Sequence, residues 1–232
     1  LVLAGDRVQS LDTEKNFGTL LEYANTVSLG KAPVLILRGE NETKGEFAAY
    51  LSRIIRPVTP ELVLNRTYHN FKQGSLSVIG LDTATKNTDG FMGYNGYANF
   101  DELRLEQNDW LKNTIPETFK NKYNLVFANS TTLNYCAGVN FSKNFEAHNI
   151  HLTVGAGKTT EFKNGNTKYS TVSIGNADAI LINCNDNKIT VNEITNSIKE
   201  LGQINTQDVT YETSTPTPDP DPTPDPDPTP DP

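Results

Sequence analysis

Histidine is scarce in this chain: 232 residues carry three, His69, His148 and His151. Each stands in a different segment, and all three are read as ordinary surface or packed side chains. Sulfur is as thin, with one methionine and two cysteines, Cys136 and Cys184. Two thiols make at most one bridge, and a domain of this length needs no staple. Free, buried thiols are therefore preferred to a disulfide, Cys184 inside the strand-like run Ile-Leu-Ile-Asn-Cys-Asn. Long apolar runs are absent as well. A bilayer span takes roughly 20 such residues, so no membrane span is expected. Basic excess is missing too: 20 Lys and Arg face 28 Asp and Glu, for a net charge of -8. A nucleic-acid-seeking surface is thereby excluded.

What the chain does have is unevenly spread. Thr215 to Pro232 reads TPTPDPDPTPDPDPTPDP and holds nine of the thirteen prolines. Proline removes donors and favours extended polyproline II, and like-charged aspartates repel. Residues 213–232 are thus expected to be a disordered or semi-rigid Pro/Asp/Thr-rich linker or stalk, with the folded domain in 1–212. Asp219, Asp221, Asp225, Asp227 and Asp231 belong to the tail, so the remainder carries a net charge of only -3. The opening on strand-like Leu1-Val2-Leu3-Ala4 reads as the continuation of an upstream segment, and further modules are expected beyond both ends.

Short β-branched and aliphatic runs bounded by Gly, Asn or Asp predict strands at 1–4, 34–38, 75–81, 124–128, 151–154, 171–174, 179–183 and 188–194. Helical spacing predicts helices at 17–28, 46–54, 101–114 and 140–147, the third opened by Asp101 as a cap. Alternating strands and helices imply an α/β layered domain, and the late strands imply a second sheet packed on the first.

One stretch imitates a phosphate-binding loop: Gly155-Ala156-Gly157-Lys158-Thr159-Thr160. A true loop of that kind needs glycine five positions before Gly157, where Leu152 stands, and it opens a helix. The residues that follow read as turn and strand, so nucleotide binding through Lys158 is a minor reading.

Four strand ends carry the identity: Gly5-Asp6, Gly39-Glu40-Asn41-Glu42, Asn129, and Gly155-Ala156-Gly157-Lys158. Their order resembles the calcineurin-like metallophosphoesterases, in which Gly-Asp, Gly-Asn-His-Glu, a strand-terminal His and Gly-His-x-His end successive strands. The runs GSLSVIGLDTATKNTDG and YANFDELRLEQNDWLKNTI add to the likeness, which covers roughly residues 1–195. The resemblance implies a β-sandwich flanked by helices, the αββα layering of a hydrolase that clamps phosphate between two metal ions.

Carried over position by position, the family's metal and acid groups are mostly replaced. Asp6 matches the bridging aspartate and is the only retained ligand. Glu40 takes the place of the Asn ligand. Asn41 takes that of the general-acid His, and an amide cannot deliver a proton at neutral pH. Glu42 is kept and shapes the turn. Asn129 replaces a ligand His, and Ala156 and Lys158 replace the last two. The upstream Asp-x-His pair would precede Leu1. The implied protein is a pseudoenzyme: no catalytic residue, no metal and no cofactor are expected. Its role is then binding or scaffolding on a secreted or cell-surface protein with an unknown protein partner. The alternative is a divergent metal-dependent phosphoesterase with a Mn, Fe or Zn pair in a reduced site around Asp6 and Glu40. Lys158 is expected beside these carboxylates, substituting charge or binding an anion.

Sequons stand at Asn41, Asn65, Asn129 and Asn140, and an aromatic loop, GFMGYNGYANF, offers Tyr94 and Tyr97 for contact.

Overall fold

The computed structural model describes residues 1–55, 67–83, 87–92, 96, 98–130, 139–146, 148–165, 169–175 and 179–208. Strands and helices alternate first: β1 (Val2–Leu3), α1 (Glu14–Ser28), β2 (Leu35–Ile36), a 3-10 turn (Asn41–Thr43), α2 (Ala48–Ile54), β3 (His69–Gln73), β4 (Leu76–Leu81), α3 (Phe100–Thr118), β5 (Tyr123–Ser130) and α4 (Phe141–Glu146). Strands alone follow: β6 (Leu152–Ala156), β7 (Glu161–Lys163), β8 (Ser170–Ile174), β9 (Ala179–Asn185), β10 (Lys188–Ile194) and β11 (Ile198–Asn205). Cys136, Asn65, Tyr94, Tyr97 and the 213–232 tail lie outside the described residues.

A mixed sheet in the order β3-β4-β5-β6-β8-β7 forms the centre. Its middle pairings are parallel, and β3 and β7 close the edges antiparallel. Period-2 alternation along β5 divides the core between two faces. Val126 and Ala128 join Ile79 and Leu81 against Leu111 and Ile115 of α3 and Phe141 and Phe145 of α4. Tyr123 and Leu125 join Leu152, Val154 and Val172 against Ile189, Val191 and Ile204 of the antiparallel sheet β9-β10-β11. Helices therefore cover one face and a second sheet covers part of the other.

The pair β1-β2 is parallel, with Val2 opposite Leu35 and Leu3 opposite Ile36. Leu3 and Ile36 pack with Leu20 and Ala24 of α1 and Leu51 of α2. The opposite side of β2 meets β4, since a Cβ at Gly80 would lie 2.9 Å from Leu37 and 3.4 Å from Leu35.

Several boundaries differ from expectation, each for a local reason. Helix α1 begins at Glu14 rather than Phe17 because the Thr13 hydroxyl accepts the Asn16 N–H at 3.2 Å. Helix α3 begins at Phe100, and Asp101 is not its cap. The Asp89 carboxylate accepts the N–H groups of Phe100 at 2.7 Å and Asp101 at 3.1 Å, a cap supplied from outside the helix. Helix α4 starts after Asn140, whose Oδ1 accepts the Lys143 N–H at 3.4 Å. Strands β3, β7 and β11 were not expected; most of their residues are polar or exposed, and they form by pairing with a neighbour, with Phe162 of β7 and Leu201 and Ile204 of β11 packed into the core. His69 belongs to β3, and His151 precedes β6 rather than lying inside it. Cys184 is a free thiol, half-buried on β9, and burial pushes it up to about 11. Among the described residues no helix is long and apolar enough to cross a membrane.

His151 is 1% exposed, and its Nδ1 accepts the Asn124 N–H at 3.1 Å. Burial lowers its pKa from 6.5 to about 4, against a smaller opposing contribution from a backbone hydrogen bond with Thr206. The folded state thus resists a proton that the unfolded chain accepts, so stability is complete above about pH 6.5 and drains away between there and about pH 4. The expected loss from this group is up to about 3 kcal/mol. Urea titrations at pH 7 and pH 4.5 should show it, and the His151→Gln variant should have a flatter pH dependence than the native chain.

Candidate functional site

The loops that leave β1 and β2 meet at the carboxyl ends of both strands. Gly5 (φ 81°) and Asp6 (φ 52°) both turn left-handed, a conformation that costs a non-glycine residue about 1 kcal/mol. Such a curl aims successive backbone N–H groups at one point and makes an anion-binding nest. The anion is Glu42, wholly buried. Its Oε2 accepts from Asp6 N at 2.7 Å and Gly39 N at 2.9 Å, and its Oε1 accepts from Arg7 N at 2.7 Å and Val8 N at 3.5 Å. No described ion pair includes Glu42, so backbone dipoles alone solvate its charge. The approach requires glycine on both sides: a Cβ at Gly5 would lie 2.6 Å from Gly39 N, and one at Gly39 would lie 2.6 Å from Asp6 N.

This staple puts Asp6 at the mouth of the strand ends. Its Oδ1 accepts the Asn41 N–H at 2.8 Å, and its Oδ2 accepts from Asn129 Nδ2 at 3.2 Å. Asn129 is aimed by a bulge: β5 and β6 pair Phe127 with Val154 but Ser130 with Ala156, leaving two residues opposite one. The same Nδ2 donates to Ala4 O at 2.8 Å. Ala156 is the last residue of β6, half-buried beside Ser130.

The remaining expected residues spread outward. Glu40 meets Lys44 at 3.4 Å, a pair with side chains 38% and 49% exposed, and Lys44 Nζ also donates to Asn41 Oδ1 at 3.2 Å. Lys158, expected beside Asp6 and Glu40, is exposed and belongs to none of the described ion pairs. The ammonium beside Glu40 is that of Lys44, because an i,i+4 spacing through the 3-10 turn brings it there. His151 sits before the amino end of β6, at the far end of that strand from Ala156, and His69 pairs with Gly80 on β3.

Tested against a metal pair, this donor set does not fit. Both Asp6 oxygens point at amide donors, and Asn129 presents its nitrogen, where an ion would take the amide oxygen. Ala156 has no donor atom. Among the described residues no three His, Cys, Asp or Glu side chains gather to hold an ion. The Asn129 nitrogen is also buried and committed to two acceptors, so a glycan there is incompatible with the folded chain.

Sequence reasoning missed one neighbouring feature. At the next strand ends, Arg38 Nη2 pairs with Asp82 Oδ2 at 2.6 Å, with side-chain exposures of 13% and 0%. Thr67 donates its hydroxyl to the same oxygen. Gln107 of α3 grips the Asp82 backbone in both directions, accepting at 2.8 Å and donating at 3.0 Å. The signal was present: Val-Leu-Ile-Leu-Arg and Val-Ile-Gly-Leu-Asp each close an apolar strand on a charge.

Replacing Glu42 by Gln turns an NH2 toward donor N–H groups and removes the charge they solvate. The expected cost is about 3 kcal/mol, read as a clear fall in Tm in a thermal melt, whereas Lys158→Ala should leave Tm unchanged. A Glu42→Gln chain that melts like the native one would show that the nest carries no stability. These contacts are the basis for reading the site, because the chain matches no protein-family model and no curated protein.

Proposed function

We propose that this chain is a catalytically inactive domain of metallophosphoesterase type that works as a binding or scaffold module on a secreted or cell-surface protein. The observation that carries the reading is the Asp6 carboxylate, held by the amides of Asn41 and Asn129 where the family would hold ions. Order along the chain supports it further. Asp6 follows β1, Glu40 to Glu42 follow β2, Asn129 is the last but one residue of β5 and Ala156 ends β6, so the four resembling stretches stand at carboxyl strand ends. Layering supports it too: α1 and α2 lie on β1-β2, β2 faces β4, and α3 and α4 cover the other face of the large sheet. An αββα sandwich has that sequence of layers.

Chemically the site is suited to holding shape rather than to hydrolysis. Asn41 cannot protonate a leaving group, and no imidazole stands ready to activate water. Glu42, the one acid of the turn that is deeply placed, is consumed by four backbone donors. In this reading the 213–232 stalk holds the module away from a surface, and the partner is another protein. No cofactor takes part.

Calorimetric titration with Mn2+ and Zn2+ and assays on p-nitrophenyl phosphate and its bis ester test the proposal. The expected result is no stoichiometric binding and no turnover above background. Tight binding of two ions, with turnover abolished by Asp6→Ala, would replace this reading with that of a divergent phosphoesterase.

A further inference from the structure

Strands β3, β7, β9 and β11 are the outermost strands of the two larger sheets, and three of them are guarded. Strand β7 is three residues long and carries the Glu161–Lys163 ion pair. Strand β3 carries Lys72, and β11 carries Lys199 and Glu200 and meets a register shift between Val191 and Asn192 of β10. Short length, charge and irregular register are the ordinary ways of closing an edge to another strand. Strand β9 has none of them. Its seven residues, Ala-Ile-Leu-Ile-Asn-Cys-Asn, include no charge, proline or glycine. They keep one unbroken register with β10, from Asn185 opposite Lys188 to Ala179 opposite Ile194.

The hairpin fixes which backbone groups of β9 stay open. Asp186 and Asn187 form a two-residue turn with φ of 47° and 63°, so the flanking Asn185 and Lys188 are the first hydrogen-bonded pair. Every second residue follows, and Asn183, Leu181 and Ala179 face β10 as well. The Asn187 carbonyl accepts the Thr206 N–H at 2.8 Å, which agrees, since it turns the odd-numbered residues of β10 toward β11. The N–H and C=O groups of Ile180, Ile182 and Cys184 therefore point away from β10, and no described hydrogen bond uses them. Their side chains join the core cluster on the large sheet but are only half-buried, as is Phe127 of β5 in the same cluster.

What borders this edge limits what fills it. Gly202 of β11 lies against Phe162 of β7, so β9 is the strand of its sheet farthest from that side. Ile79 and Leu81 take the helix face of β4, so Gly80 looks to the other face, where Leu35 and Leu37 of β2 lie against it. The free side of β9 thus looks toward the β1-β2 pair, and β1 is not bonded to β9. A second globular copy has no approach across β1-β2, whereas one extended segment does. A charged segment finds no countercharge on β9.

We infer that the outer edge of β9 is a strand-addition site for an extended segment of a partner protein, uncharged and apolar at alternate positions. Main-chain bonds to Ile180, Ile182 and Cys184 hold the segment, and its alternate apolar side chains continue the layer over the large sheet. The inference uses no contact of Asp6, so it stands or falls apart from the question of metal binding there. A capped heptapeptide alternating threonine and valine is the probe. The same peptide with a central proline, which takes one donor out of the ladder, is the control. Amide hydrogen exchange of the full chain is followed with each. Saturable slowing at Ile180, Ile182 and Cys184 with the first peptide and none with the second is expected, while Leu181 and Asn183, already bonded to β10, stay unchanged. Ile182→Pro, which removes an outward N–H and spares the ladder to β10, should abolish the slowing. The two peptides decide the matter even where that variant does not fold. No slowing at the three amides, or equal slowing by the proline peptide, overturns the inference. So does slowing that rises with protein concentration in the absence of peptide, because the edge then takes a second copy.

Discussion

A single buried carboxylate organises the strand ends of this protein. Among the described residues no cation pairs with Glu42, and placing a bare carboxylate in an apolar interior is costly. Four backbone N–H groups from two loops solvate it instead. Because those loops leave β1 and β2 separately, the carboxylate cross-links them, and the left-handed turn at Gly5 and Asp6 aims its N–H groups at that anion.

Everything at the mouth of the site inherits that constraint. With the nest in place, Asp6 has one orientation, and its two oxygens find the Asn41 N–H and the Asn129 amide within reach. Asn129 arrives there from 123 residues away through a bulge at the end of β5. The amide donor at that position satisfies the second oxygen of the aspartate. The site is therefore a satisfied polar network, and such networks favour one conformation because any broken bond leaves a buried group unpaired.

The Arg38–Asp82 cluster is the contrasting neighbour. It lies on the same side of the molecule, at the ends of β2 and β4, but its network is incomplete, with Nε, Oδ1 and the Thr83 hydroxyl left over. The two sit within one layer of strand ends. The Asp6 network is carried by β1 and β2, packed against α1 and α2, and the Arg38–Asp82 cluster also uses β4, whose apolar face is buried with that of β5 against α3 and α4.

Local pattern determined a good deal. The apolar runs that became β4, β5, β6 and β10, the spacing of α1 and α3, and the Gly-Asp and Gly-x-x-Glu turns were all legible, because β-branched clusters, helical periodicity and glycine report on backbone preferences nearby. Strands β3, β7 and β11 were not, because their few apolar residues are interrupted by polar, exposed ones and the strands form on hydrogen bonds from a neighbour. The cap on α3 was also hidden, since Asp89 reaches it from outside the helix. The partners of charged residues were legible least of all. Glu40 takes Lys44 rather than Lys158, Arg38 takes Asp82, and Asn129 takes Asp6. Sequence alone determined which strand ends carry polar groups; only the tertiary structure decided which of them meet, because a hydrogen bond depends on a few tenths of an ångström that no local preference encodes.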